Sequence, residues 1–216
     1  AGTPVDHEMA DDHTTYTADP AGEVILGTDD DDIIVGGAGV DVICGGEGND
    51  VIYGGGGNDS LYGGEGRDHL YTQSVATDTE RAYGEAGNDV LFGAEGDDQL
   101  TGGAGNDELT GEAAGDYLLG GPGADRLFGG DGEDDMNGGN TVDANQAILH
   151  QSETPGDGSD QIYGGPGADR MYGDRGNDYL DGTGDADADD MGGGPGSSDR
   201  CFNAADNVTP DCEDVS

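Results

Sequence analysis

The sequence predicts an all-β fold of short, stacked strands, and three observations predict it. A period of nine residues runs through most of the 216-residue chain. Within each nine, glycine recurs at positions 1, 2 and 4 and aspartate at position 6. A large apolar residue then stands two places after the aspartate. A flexible acidic linker would have no reason to keep that apolar residue in step.

The period sets the frame. Gly36–Cys44 is followed without a gap by Gly45–Tyr53, Gly54–Tyr62 and Gly63–Tyr71. The frame resumes at Gly84, continues through Asn137, returns near Pro155 and runs to about Asp181. Typical glycine sets are Gly36, Gly37 and Gly39; Gly45, Gly46 and Gly48; and Gly54, Gly55 and Gly57. Farther on stand Gly102, Gly103 and Gly105; Gly120, Gly121 and Gly123; and Gly164, Gly165 and Gly167. Glycine at these places lets the backbone take positive φ and turn its carbonyls inward. The position-6 residues are Asp32, Asp41, Asp50, Asp59, Asp68, Asp89, Asp98, Asp107, Asp116, Asp125, Asp134, Asp143, Asp160, Asp169 and Asp178. Carbonyls and carboxylates together form an oxygen-only donor set, which suits a hard cation, calcium best of all.

Positions 7 to 9 are the strand, with the middle side chain inward because side chains alternate faces. The expected core is Ile34, Ile43, Ile52, Leu61, Leu70, Leu91, Leu100, Leu109, Leu118, Leu127, Met136, Ile162, Met171 and Leu180. Outward positions carry Ile33, Val35, Val42, Val51 and Tyr53 near the start, an apolar cluster that something should cover. Aromatic residues recur farther along, as ladders that stabilise neighbouring strands.

Composition supports a cation-dependent fold. There are 46 glycines, 49 Asp and Glu against 6 Lys and Arg, a formal net charge of −43 and 31% hydrophobic residues. Such a chain reads as disordered unless cations neutralise it. Nucleic acid and anionic membranes are poor partners for the same charge, and no apolar run approaches the roughly 18 residues of a membrane span. The chain starts at Ala1 and not at Met, which fits a leader already removed.

The motif G-G-x-G-x-D-x-U-x, with U large and apolar, resembles the calcium-binding repeats of the RTX family over about four-fifths of the chain. The resemblance implies a right-handed parallel β-roll of two facing parallel sheets, two nonapeptides to a turn. It places each calcium between units i and i+2, sharing the position-6 aspartates, on the order of ten to fifteen ions in all.

The pattern breaks in four places. Asp68 and Asp89 are 21 residues apart, so residues 72–83, which lack glycine until Gly84, are expected to leave the roll as a loop. Asp143 and Asp160 are 17 apart, with an excursion expected at 146–154. Gly111–Asp116 has Ala114 in place of the position-4 glycine. From Gly182 small insertions are needed to bring Asp189 and Asp199 to position 6 and Met191 and Cys201 inward. The expected division is a non-repeat acidic segment at 1–22, the roll at 23–202 and a C-terminal cap at 203–216. Within the first segment Asp6, His7, Glu8, Asp11, Asp12 and His13 read as a solvated cap before a transition-metal cluster, since two histidines six apart are loosely spaced.

Three cysteines leave at least one without an intrachain mate. Cys201 and Cys212, close in the tail, are expected to form a disulfide, which fits an oxidising compartment. Cys44, far down the roll, is expected as a free or intermolecular thiol.

The functional expectation is a secreted, extracellular or cell-surface calcium-binding structural protein that folds as calcium binds. Self-association end to end, or through the apolar outer face near Val42–Tyr53, is expected to build a fibre, matrix or surface layer. An adhesion module and an accessory domain of a secreted enzyme system are the alternatives. No His-Glu-x-x-His or Gly-x-Ser-x-Gly appears, so no enzyme activity is expected.

Overall fold

In the computed structural model the described residues are 7–8, 15–18, 22–73, 78–139, 159–164, 169–173, 177–182, 190–194, 199–203 and 213–214. Among them, successive strands alternate between two sheets, one of ten strands and one of eleven, except that the last, Glu213–Asp214, joins the same sheet as Arg200–Asn203 and pairs with it. The strands of the repeats pair in parallel with the strand two repeats away: Ile33–Ala38 with Val51–Gly56, and Val42–Glu47 with Ser60–Gly66. The described part of the chain is therefore a parallel β-roll, with two nonapeptides to a turn as expected.

Period-2 alternation explains the core. Each strand from Val24–Leu26 to Arg200–Asn203 sends a side chain into the space between the sheets, giving one ladder that includes Ile43, Leu61, Leu100, Leu118, Met136 and Met171 and a second that includes Ile34, Ile52, Leu70, Leu91, Leu109, Leu127, Ile162 and Leu180. All are fully buried, and Met191 and Cys201 join them at the far end. Ile25 and Ala82 are also in the core, each two places after a glutamate, Glu23 and Glu80, where the motif has aspartate. On the outside, Tyr53, Tyr71 and Phe92 stack with ring centroids 5.0 and 5.1 Å apart. Tyr62 stacks on Tyr83, and Phe128 on Tyr163, each at 5.0 Å. The strand spacing of a sheet sets this distance, so position 9 lays down ladders wherever consecutive turns are aromatic.

The breaks in the pattern resolve differently from expectation. Residues 72–83 do not all leave the roll. Thr72 is buried and bonded to the Phe92 carbonyl, and Arg81–Gly87 is a strand paired on both sides. The stretch is a complete repeat with three extra residues, because the partner of Asp68 in the next turn lies 21 positions on where 18 is the rule. An arginine, an alanine and a glutamate stand where the frame expected nothing, and this hid the strand.

The second break is longer than 146–154. The amide of Asp125 donates to Asp160, 35 positions away, and that of Asp134 to Asp169 at the same separation. Asp160 therefore takes the rung that spacing assigned to Asp143; Asp143 itself lies outside the described residues, as does 146–154.

At the start, residues 1–22 are not wholly outside the repeat. Thr15–Thr17 pairs with Ile33–Val35, His7–Glu8 pairs with Ile25–Leu26, and Tyr16 packs on the end of the core. Of the outer apolar cluster, Ile33 stays 44% exposed while Val35, Val42, Val51 and Tyr53 are half-buried in their own sheets.

Candidate metal centre

Each loop runs from position 1 to position 6 and delivers one carboxylate to the edge of a sheet. Stacking the loops makes two columns. The first joins Asp32, Asp50, Asp68, Asp89, Asp107, Asp125, Asp160, Asp178 and Asp199 through amide-to-carboxylate bonds of 2.7–3.0 Å, each Oδ1 accepting from the aspartate one turn below. The second runs through Glu23, Asp41 and Asp59, and then through Glu80, Asp98, Asp116, Asp134 and Asp169, in the same manner. Units i and i+2 are thereby brought together, as the sequence reading required. Glu23 and Glu80 escape a motif that admits only aspartate at position 6.

At Asp41, Asp50, Asp59, Asp68, Asp89, Asp107, Asp116 and Asp134 one carboxylate oxygen is thus occupied, while Oδ2 is buried and accepts no hydrogen bond. Buried carboxylate oxygens without partners are costly and call for a cation. Loop packing holds them where they are. At Gly36 a Cβ would lie 2.5 Å from the Gly54 carbonyl oxygen and 2.8 Å from Oδ2 of Asp41, so the position-1 glycine keeps that oxygen among backbone carbonyls.

Without a cation the carboxyls resist ionisation. Burial, partly offset by the backbone hydrogen bond and reinforced by neighbouring carboxylates, pushes Asp50, Asp59, Asp89 and Asp116 up to about 7. Burial likewise pushes Asp107 and Asp134 up to about 6 against the backbone hydrogen bond. Asp41 and Asp68 are raised chiefly by burial as well.

Among the described residues no three His, Cys, Asp or Glu side chains converge on one point. One carboxylate per loop is what the repeat supplies, so a bound ion must draw its remaining ligands from loop carbonyls. That oxygen-only set fits calcium, which accepts six to eight oxygens in irregular geometry. Gly36, Gly37, Gly39, Gly45, Gly46, Gly48, Gly54, Gly55 and Gly57 line these loops, as do Gly102, Gly103, Gly105, Gly120, Gly121, Gly123 and Gly164. Gly165, Gly167, Asp189 and Cys212 lie outside the described residues.

Position 5 adds a device that sequence reading overlooked. Asp31 Oδ1 accepts from the Asn49 amide and Asn49 Oδ1 from the Arg67 amide, while Asn88 and Asn106 repeat the pattern farther up. The recurrent Asn-Asp pair in the sequence was the available signal. Cys44 is a free, half-buried thiol on the outer face, and burial together with Glu85 pushes its pKa up, away from reactivity.

A model of the RTX calcium-binding nonapeptide repeat, four copies long, matches residues 17–52, 45–70, 76–109, 110–143 and 154–188. No curated protein matches the chain. The matched segments take in the first column from Asp32 to Asp178 and the second from Glu23 to Asp169, Glu80 among them, and the loops supply the donors such a repeat needs. The chain belongs to the RTX calcium-binding nonapeptide-repeat family.

Proposed function

We propose that this chain is a secreted calcium-binding structural protein whose roll forms as calcium binds, and that it has no catalytic activity of its own. The observation that carries the reading is the double column of buried carboxylates, in which Asp41, Asp50, Asp59, Asp68, Asp89, Asp107, Asp116 and Asp134 each keep a second oxygen that accepts no hydrogen bond. A formal charge of −43 makes the same point for the whole molecule, since compaction without counter-cations works against its own repulsion. Binding energy is then folding energy, and on the order of ten to fifteen ions follow from one per loop pair. Extracellular calcium reaches the millimolar level that modules of this kind use, which supports a site of action outside the cell.

Pairing of Cys201 with Cys212 belongs to the same proposal. It is supported by the pairing of Arg200 with Glu213, the residue after Cys212, on adjacent strands. Self-association end to end, or across the outer face near Val42–Tyr53, is the corresponding proposal for assembly; open strand edges at the ends of a roll favour it.

The deciding experiment is far-UV circular dichroism during a calcium titration, with size-exclusion chromatography at each end. A mostly disordered chain in excess chelator and a β-rich one in millimolar calcium are expected. Magnesium should substitute poorly because it keeps its waters and demands a tighter octahedron. A β signal that persists at pH 7.5 after calcium has been stripped to none would overturn the proposal.

A further inference from the structure

The turn between Asp59 and Asp98 is the one place in the described columns, between two aspartate rungs, where the rung is not an aspartate. Glu80 stands there, fully buried. Its amide donates to Oδ1 of Asp98 at 2.9 Å, as each rung donates to the next, and its carbonyl accepts from the Gln99 amide as the Asp98 carbonyl does from Tyr117. Below it, Asp59 has a buried Oδ2 that accepts no hydrogen bond. We propose that Glu80 is a calcium ligand, continuing the second column across the three-residue insertion with a longer carboxylate arm. The assignment rests on the calcium-binding reading above.

Two comparisons support it. Glu23 occupies the corresponding rung at the foot of the same column, half-buried, and there Oε2 accepts a 2.7 Å hydrogen bond from the Tyr16 hydroxyl. That end is closed by a protein donor. Glu80 lies mid-column, its side chain against that of Asp98, where a cation would offset the repulsion of two ionised carboxylates. The loop also differs: Thr72 replaces the position-1 glycine, its hydroxyl donating to the Gly93 carbonyl, and Asp78 accepts from the Gly57 amide at 3.3 Å. With the backbone of the rung in its regular register, the extra methylene of glutamate gives the carboxylate a longer reach than aspartate's.

Ion counting by native mass spectrometry on the full chain in saturating calcium tests this. Glu80→Gln keeps the shape and removes the charge; one or two ions fewer than the wild type are expected, because neighbouring sites share carboxylates. Glu80→Asp should keep the wild-type count but need several-fold more calcium to fold. A wild-type count and an unchanged calcium midpoint in Glu80→Gln would overturn the assignment. Should Glu80→Gln fail to fold, folding retained in Glu80→Asp counts for it and loss in both counts against it. A wild type that binds no calcium would instead defeat the calcium reading itself, so the two failures are separable.

Discussion

The two carboxylate columns meet the same physical demand with different regularity. The Asp32 column is aspartate at every described rung from Asp32 to Asp199, and it stays in register across an insertion that stretches one step to 35 positions. The other column begins at Glu23, passes through Glu80, and carries four of the five non-glycine residues at positive φ among the described residues: Gln73, Ala94, Glu112 and Ala114. Insertion length is therefore not what threatens a rung. A loop of any length is tolerated when glycines, an aspartate and a strand follow it, since loop closure costs little more as length grows. Substitution inside the six-residue turn is what changes the rung.

The largest expected effect sets protons against calcium in both columns. An unfolded aspartate titrates near its ordinary 3.8, whereas folding without metal raises Asp50, Asp59, Asp89 and Asp116 to about 7. The metal-free fold thus holds more protons than the unfolded chain between these values. Its stability should rise as pH falls from about 7 towards 3.8, and the contribution is absent above the folded value. Calcium requires the ionised form, so its binding should release protons and its midpoint should move to higher calcium as pH drops below 7. Circular dichroism of metal-stripped protein at pH 7.5 and 4.5 checks the first part, and a calcium titration at both pH values the second. Equal disorder at the two pH values, with no shift of midpoint, would show that the carboxylates are not the controlling groups.

A smaller effect separates the columns. Asp50→Ala removes the acceptor of the Asp32 amide bond at 2.8 Å. A hydrogen bond to a charged group is worth about 1.5–3 kcal/mol, and the ions shared with Asp32 and Asp68 are weakened as well. Hydrogen exchange in saturating calcium should show lost protection around Thr28–Asp32 and Gly63–Asp68, with the Asp98–Asp134 stretch of the other column protected. Uniform loss along both columns would break the view that each column is an independent stack of shared sites.

Much of this was legible in the sequence because the repeat exposes its own register. Glycines mark the turn, aspartate marks its end, and one apolar residue marks the core, so Ile34 through Leu180 could be placed inward before any coordinates. The signal failed where a residue satisfied the physics without matching the letter. Ala82 is inward but small, so it did not read as core; Glu80 is a carboxylate but not aspartate; Tyr16 extends a sheet from outside the motif. Asp143 failed the other way, matching a letter at a plausible spacing while Asp160 holds the rung above Asp125. Counting residues cannot choose between two aspartates on either side of an insertion; only the strand that follows can, and Gln161–Tyr163 follows Asp160.

The smallest expected effect tests strain within the Glu80 column. Ala114 and Gly132 occupy position 4 in successive turns of that column, and both have positive φ, 87° and 152°. An L-residue in left-handed backbone costs roughly 1–2 kcal/mol, part of which glycine gives back through its freer unfolded state. Ala114→Gly should therefore stabilise the calcium-loaded protein by about 1 kcal/mol or somewhat less. The reverse change one turn on should do more harm than the forward change does good. A Cβ at Gly132 would run into the Ala114 carbonyl, so Gly132→Ala adds a backbone collision to the strained φ. Denaturant midpoints in saturating calcium measure both. A gain for Ala114→Gly beside a larger loss for Gly132→Ala would establish that the column tolerates alanine at one rung only by leaving strain in place. Equal midpoints for all three proteins would instead mean that the turn relaxes around either residue, and that the irregularity of this column carries no energetic cost.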